Sequence, residues 1–575
     1  MLKAIAASGG FSLGTAFVYS KPDLSFTPHA IDDPEAETRR YLGAAAAAAA
    51  ELASLTERTR GDLGEELAHI FRSQQTMAED DATRDDVCRI IREKSVCAEQ
   101  AMTEVFDSYR ALFAELGEED YNKARVADLN DVYKRTLRCL LGKPESDLSN
   151  LKSGTILVAE ELFPSDTALL DPSKVCGIIT ERGGITSHAA ILAKNLGIPA
   201  AVGLMNAAGI LSSGDAVVVD ATKGDEAEIF LNPTSAELAV LEKIRTVYET
   251  KKRLIQEVKG LPAVTQDGCP VTVSANIGSV SEAVAAHGKG ADSVGLFRSE
   301  FLFIGKSVLP DEEEQFLAYK AVVETFREGF VIIRTLDAGG DKKVYSLSIP
   351  EEDNPFLGYR ALRVCLDRPD VFEPQLRAIL RASHFGKAKI MFPMVSGISE
   401  VRAARSALEK CKTELRTKGV PFDENMEVGI MVEIPSAVFL ASELAEVVDF
   451  FSIGTNDLTQ YLLAADRMNA RIQAYYRNLD PSVFRAIRTV VEAAHSKGKW
   501  VGICGELGGN SMAIPVLVGL GVDELSMSPQ LLYEAIYTIR GLKKDEAGSL
   551  AKRVLSLDSQ EKIATLLNSN IKTEE

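Results

Sequence analysis

The sequence predicts a multidomain α/β protein whose C-terminal half is a (β/α)8 TIM barrel. Three observations carry that prediction. Beyond Leu261, eight short strand-like runs alternate with helical patterns; from Thr155 to Phe230, short β-branched runs alternate with glycine-rich turns; and from Asp33-Pro34 to about Lys143-Pro144 the spacing is helical throughout. At roughly 150 residues per domain, the length of 575 residues corresponds to three or four domains, or fewer if one is a large barrel.

Residues 1–20 alternate weakly between apolar and small side chains, as one or two short strands would, until Lys21-Pro22-Asp23 and Thr27-Pro28 break the pattern. Residues 21–145 are dominated by Ala, Glu, Leu and Arg, with apolar residues three and four apart, as at Leu67, Ile70 and Phe71 and again at Val132, Leu137, Leu140 and Leu141. They predict an all-helical domain inserted into a small α/β domain made of residues 1–20 and 146–231. In the latter, Thr155 to Val158, Gly177 to Thr180 and Val217 to Val219 read as strands, and a helix begins near His188. Asn232-Pro233-Thr234 opens a long charged helix, with Thr234 and Glu237 spaced as a capping box, and residues 232–260 read as a linker. Residues 261–575 form the barrel. Its strands are expected around Val271 to Ala275, Ser293 to Phe297, Val331 to Arg334, Ile390 to Pro393, Val428 to Val432, Phe450 to Ile453, Trp500 to Ile503 and Glu524 to Ser526.

Composition narrows the function. With 64 basic and 83 acidic residues the net charge is -19, which disfavours nucleic acid or an anionic membrane surface and suits a basic partner protein. No stretch approaches the roughly 18 to 20 apolar residues of a membrane span, and Gly9, Gly10 and Ser12 interrupt any secretory signal, so a cytoplasmic location without membrane insertion is expected. The eight cysteines include no C-x-x-C pair, which points to reduced thiols rather than a disulfide framework.

In a TIM barrel, chemistry sits where strands end. Here the strand ends carry Arg298, Arg334 with Asp337, Glu433, the Gly454-Thr455-Asn456-Asp457 turn, and Cys504 with Glu506. The guanidiniums offer bidentate forks to phosphate and carboxylate oxygens, and Glu433 and Asp457 suit a hard cation such as Mg2+ that keeps water and takes substrate oxygens. The implied substrate is a small phosphorylated carboxylic acid, with Cys504 as nucleophile or acid. In the small domain, Gly183-Gly184-Ile185-Thr186-Ser187-His188 leads into a helix N-terminus. Its free N–H groups and positive dipole end suit a phosphoryl group beside a neutral, nucleophilic imidazole.

Five segments together resemble enzyme I of the bacterial phosphoenolpyruvate:sugar phosphotransferase system: Gly183-Gly184-x-Thr186-Ser187-His188, Gly295 to Phe303, Asn354 to Arg360, Phe451 to Tyr461, and Cys504 to Leu507. The likeness covers essentially the whole chain, in the family's domain order. It implies that the small domain is a swivelling phosphohistidine domain in which His188 accepts phosphate from phosphoenolpyruvate and passes it to the phosphocarrier protein HPr. It also implies Mg2+ at Glu433 and Asp457, substrate contacts from Arg298, Arg334, Asn456, Asp457 and Arg467, Cys504 as the acid that protonates the enolate to pyruvate, and a homodimer formed through the barrel. The helical domain then becomes the HPr platform, with Glu65, Glu66, Glu79 and Asp80 as an acidic rim around Ile70 and Phe71. Two positions depart from the family pattern: Ile185 stands where members usually carry Arg, and Gln74 where they commonly carry histidine on the HPr-facing helix. A dikinase or phosphoenolpyruvate synthase shares the histidine domain and the barrel, and a non-catalytic regulatory relative is the other alternative. The first needs a large nucleotide-binding domain ahead of the histidine, and the second has no use for complete mouth chemistry.

Overall fold

The computed structural model describes the chain apart from residues 20–22, 63–64, 116–119, 144–147, 149–150, 163–165, 167–169, 172, 185–186, 225, 341, 343, 351 and 572–575. At 58–62, 65–70, 113–115, 120–125, 127, 188, 191, 195, 223, 345, 470 and 571 it describes the backbone alone. The chain divides into two compact units, Met1–Lys251 and Lys252–Glu575.

In the first unit, strands β1 (Leu2–Ser8) and β2 (Gly10–Tyr19) are followed by five helices, α1 (Pro34–Asp62), α2 (Glu65–Ala78), α3 (Asp81–Lys94), α4 (Ala98–Glu115) and α5 (Asp120–Leu140). Strands β3 (Thr155–Ala159), β4 (Val175–Thr180), β5 (Ala200–Val202), β6 (Ala216–Lys223) and β7 (Glu226–Leu231) then complete a closed seven-stranded barrel in the order β1-β5-β4-β3-β2-β6-β7. The helices therefore interrupt the barrel between β2 and β3, which pair in parallel from Thr15 opposite Thr155 to Tyr19 opposite Ala159. Helix α6 (His188–Leu196) follows β4. Its N-cap Ser187 accepts from the Ala190 amide at 3.4 Å, and Gly197, at φ 65°, closes its C-terminus. Helix α7 (Ser235–Glu257) starts with the expected box: the Thr234 amide donates to Glu237 at 2.8 Å, and the Glu237 amide returns a bond to Thr234 Oγ1 at 3.3 Å.

The five helices share an apolar core around Leu52, Phe71, Val87, Ile91, Met102, Val105, Phe106 and Val132. This placement corrects the expectation for α2. Phe71 is 1% exposed, and Phe71, Gln74 and Ala78 recur at the three- and four-residue spacing of one buried helical face. Phe71 thus belongs to the core rather than to a docking surface, although acidic residues flank it in sequence. Gln74 is buried too and donates to Asp128 at 2.9 Å. Glu79 and Asp80 are exposed, and the Asp80 carboxylate caps α3 by accepting from the Thr83 amide at 2.8 Å. The side chains of Glu65, Glu66 and Ile70 lie outside the described residues.

The second unit is an eight-stranded parallel barrel with each strand paired to its sequence neighbour: β8 (Thr272–Ile277), β9 (Val294–Arg298), β10 (Val331–Arg334), β11 (Ala388–Phe392), β12 (Val428–Val432), β13 (Phe450–Ile453), β14 (Trp500–Ile503) and β15 (Glu524–Met527). Closure comes from β15 against β8, with Glu524 opposite Thr272 and Met527 opposite Ala275. Four strands fall on the expected residues. β11 ends one residue early because Pro393 has no N–H to give the ladder. The outer faces of the strands pack against the surrounding helices. A separate inner cluster of Leu296, Ile332, Met391, Met431, Phe450 and Cys504 fills the barrel, over a floor where Phe450 and Trp500 stack with centroids 4.6 Å apart. No described helix is long and apolar enough to cross a membrane.

Phe71→Ala is expected to destabilise the helical unit by about 3–5 kcal/mol, the cost of emptying a buried aromatic site, measured by urea unfolding followed by circular dichroism. A loss below about 1 kcal/mol is the behaviour of a surface residue and would contradict this placement.

Candidate active site

Inward-facing side chains at the C-terminal strand ends converge on one mouth. Arg334 ends β10, and the 3₁₀ turn Ser299–Leu302 after β9 brings in Glu300. Arg334 Nη2 meets Glu300 Oε1 at 2.5 Å, and its Nη1 meets Asp337 Oδ2 at 3.1 Å. Lys342 Nζ joins both carboxylates, at 2.9 Å and 2.5 Å respectively. Arg360, fully buried, spans from Asp337 Oδ1 at 3.1 Å to Asp457 Oδ2 at 3.3 Å and donates to the Tyr461 hydroxyl at 3.3 Å. Arg467 Nη2 lies 3.9 Å from Asp457 Oδ1. Burial works against the charge on Asp337, yet Lys342, Arg334 and Arg360 together hold its carboxyl well below the usual carboxylate range.

The backbone is bent to make this arrangement. Ala361 has φ 54° and Met394 φ 56°, conformations that side-chain-bearing residues rarely adopt. Ala361 follows Arg360 and is tied to the Ala338 carbonyl at 2.9 Å, while the Met394 amide donates to Glu433 Oε1 at 2.7 Å. Gly339 has φ 107°, and a Cβ there would stand 2.9 Å from Arg360 Cα, so the loop carrying Asp337 and the segment carrying Arg360 approach too closely for any larger residue.

Glu433, at the end of β12, is buried without a cation of its own. Burial, the charge of Asp457 and then that of Asp337 push its carboxyl up to about 8. Asp457 Oδ1 is likewise buried with no hydrogen bond. No three His, Cys, Asp or Glu side chains among the described residues converge into a closed metal cage. The unpaired Glu433 carboxyl and the Asp457 Oδ1 atom, which lacks a hydrogen bond, are hard oxygen donors that fit an ion completing its shell with water and substrate oxygens, as Mg2+ does. Cys504, after β14, is buried between the mouth and the inner cluster, and burial pushes its thiol up to about 12, so it is protonated at neutral pH. Its neighbour Asn456 accepts from the Glu506 amide at 3.0 Å, and Tyr476 donates to the Asn456 carbonyl at 3.1 Å.

Of the residues expected from the sequence, the structure therefore brings Arg334, Asp337, Glu433, Asn456, Asp457, Arg467 and Cys504 to one mouth. Arg298 ends β9 there, 6.0 Å from the Phe301 ring centroid, and forms no ion pair among the described residues. Glu506 is exposed and contributes its amide rather than its carboxylate. Glu300, Lys342, Arg360 and Tyr461 join the network without having been assigned a role. Arg360 and Glu300 stood inside the motifs already singled out, whereas Lys342 carried no spacing signal. His188 is the first residue of α6, with its side chain outside the described residues, as is Ile185. Arg360→Met is expected to cost the barrel about 3–5 kcal/mol in guanidinium unfolding without ligand, because two buried carboxylates lose their shared cation. An unchanged midpoint would contradict the pairing.

Comparisons with known proteins cover the chain from end to end. The family described as the PEP-utilising enzyme N-terminal domain matches residues 3–125, that described as the mobile domain 151–224, and that described as the PEP-binding domain 252–544. A phosphoenolpyruvate-protein phosphotransferase of Staphylococcus carnosus is 41% identical over 571 residues, 99% of each chain. Proteins of the same name from Bacillus sp. (strain S) and Geobacillus stearothermophilus are each 42% identical over 566 residues, 98% of this chain and 97% of theirs. With the barrel mouth and the inserted helices in the matching segments, the chain belongs to the phosphoenolpyruvate-utilising enzymes, in the branch of these phosphoenolpyruvate-protein phosphotransferases.

Proposed function

We propose that the chain transfers the phosphoryl group of phosphoenolpyruvate to its own His188 and then to the histidine of HPr, releasing pyruvate, as the first step of phosphotransferase-system sugar uptake. The convergence of Arg334, Arg467, Glu433, Asp457 and Cys504 on one mouth, in a chain related over its full length to phosphoenolpyruvate-protein phosphotransferases, carries this reading. The guanidiniums of Arg298, Arg334 and Arg467 bind the phosphate and carboxylate of the substrate, with Asn456 and Asp457 fixing its orientation. Glu433 and Asp457 would hold Mg2+, which when bound neutralises charge on the phosphoryl oxygens. His188 Nε2 attacks phosphorus in line, forming a P–N bond as the P–O bond to the enol oxygen breaks. The Cys504 thiol then gives its proton to C3 of the enolate, leaving pyruvate. A thiol pushed up to about 12 is suited to donate this proton and ill suited to act as a nucleophile.

The domain roles follow. Residues 1–20 and 146–231 carry His188, residues 21–145 receive HPr, residues 232–260 supply the hinge, and residues 261–575 bind phosphoenolpyruvate and self-associate into a homodimer in the cytoplasm. The acidic edge of Glu65, Glu66, Glu79 and Asp80 with Ile70 meets a basic face of HPr, without Phe71.

His188→Ala should take up no phosphate from phosphoenolpyruvate and pass none to HPr, while still binding phosphoenolpyruvate in calorimetry. HPr phosphorylation by this variant would refute the assignment. Cys504→Ala should form phosphohistidine in a rapid-quench burst like the unsubstituted chain, yet turn over to pyruvate slowly, because protonation follows phosphoryl transfer. Loss of the burst would contradict the acid role.

A further inference from the structure

The two oxygens of Asp457 are used differently. Oδ2 is paired with Arg360 Nη2 at 3.3 Å, while Oδ1 is buried without a hydrogen bond, 3.9 Å from Arg467 Nη2. That division is not what an arginine beside a carboxylate favours, because a guanidinium presents parallel N–H groups whose preferred contact is a fork on both oxygens. Arg360 is fully buried, and the charges of Asp337, Asp457 and Glu433 all act on it, so a second arm has anions to turn to. It is held away from them. Nη1 donates to the Tyr461 hydroxyl at 3.3 Å, leaving Nη2 to serve both Asp337 Oδ1 at 3.1 Å and Asp457 Oδ2. Tyr461 is itself fixed, since its hydroxyl donates to the Phe356 carbonyl at 2.5 Å and so keeps its lone pairs for Arg360. The helix Thr455–Leu463 carries Asp457 and Tyr461 four residues apart, on one face. The same hydroxyl oxygen lies 3.9 Å from Met394 Sδ, and it is the Met394 amide that holds Glu433 Oε1 at 2.7 Å. One half-buried hydroxyl thus touches the residue that positions each of the two candidate metal carboxylates.

We propose that Tyr461 is a positioning residue for the metal ion: by holding Arg360 Nη1, its hydroxyl stops the guanidinium from forking onto Asp457 and keeps Oδ1 available to Mg2+. The inference rests on the proposed Mg2+ site at Glu433 and Asp457. Without the hydroxyl, Nη1 becomes a buried donor with no partner, a state that is costly to leave unrelieved. A turn of the guanidinium onto Asp457 Oδ1 relieves it. Arg360 then covers the oxygen that the cation needs, and two donor carboxylates are reduced to one. The Phe356 carbonyl loses its donor in the same change, which releases the segment 354–360 to move with Arg360. Tyr461 touches neither the substrate nor the reacting atoms in this scheme, so its hydroxyl governs how tightly the metal is held and leaves the chemistry alone once the metal is bound.

The test uses the full chain and Mn2+ alone, a hard cation that takes the same oxygen donors and is counted by its electron paramagnetic resonance signal. The unsubstituted chain should bind Mn2+ at a site that Glu433→Gln abolishes. Tyr461→Phe, which removes one oxygen and keeps the ring, should bind there about tenfold more weakly. With phosphoenolpyruvate, the Mg2+ concentration for half-maximal phosphohistidine formation should rise by a similar factor, while the rate at saturating Mg2+ stays within about twofold. In an Arg360→Lys background, where no second arm can fork, Tyr461→Phe should change Mn2+ affinity by less than about twofold. An equal loss in both backgrounds is general loosening of the mouth and would overturn the proposal. So would unchanged Mn2+ affinity in Tyr461→Phe, a rate loss that saturating Mg2+ does not recover, or failure of Tyr461→Phe to fold by circular dichroism. If the unsubstituted chain holds no Mn2+ that depends on Glu433, the metal reading fails and this inference with it; a Glu433-dependent site indifferent to Tyr461 sinks this inference alone.

Discussion

The mouth of the barrel depends on Asp337. Three cations, Arg334, Lys342 and Arg360, meet on its two buried oxygens, and each then reaches outward to a further group: Glu300, Asp457 or Tyr461. Charges taken out of water are tolerated only when paired and hydrogen-bonded, so the whole set must assemble together or not at all. This explains the strained backbone at Ala361 and Met394, which would be hard to keep without a network that fixes the neighbouring Arg360 and Glu433. The network leaves one deliberate imbalance. Glu433 has no ion pair of its own, and Asp457, although paired with Arg360, keeps its Oδ1 without a hydrogen bond, so the imbalance lies where a metal ion would fit.

In the proposed reaction, proton chemistry is separated from phosphoryl chemistry by depth. The charged layer faces the opening, while Cys504 sits among Met431, Phe450 and Leu296, where burial keeps a thiol protonated. One layer further in, Glu524 is held neutral by the same physics. Strand alternation creates this depth order: Gly502 on β14 and Cys504 just beyond its end are two residues apart and face the same interior, one leaving a slot and the other joining the inner cluster.

Much of this was legible in the sequence because barrel strands are short apolar runs with a functional residue at the end. Val428 to Val432 followed by Glu433, and Trp500 to Ile503 followed by Cys504, give both the strand and its role. The inserted helices were equally plain from their spacing. What stayed hidden depended on contacts distant in sequence. Lys342 reaches Glu300 and Asp337 from a loop with no repeating pattern. Arg360 closed the Asn354 to Arg360 motif without an assigned role, although it is the most enclosed large side chain of the mouth. Phe71 was misplaced because helical spacing locates an apolar face without saying what covers it; the fold turns that face into the helical core, and Gln74 goes with it to Asp128.

The central claim is that the mouth and His188 serve one nucleotide-free phosphoryl transfer. It is tested most directly by incubating the full chain with phosphoenolpyruvate labelled in its phosphate, with Mg2+ and without ATP, and mapping the label by peptide mass spectrometry. The account predicts acid-labile, alkali-stable phosphate on the peptide containing His188, which disappears when HPr is added and reappears on HPr. Label that requires ATP, or that settles on any other residue of the chain, would contradict it.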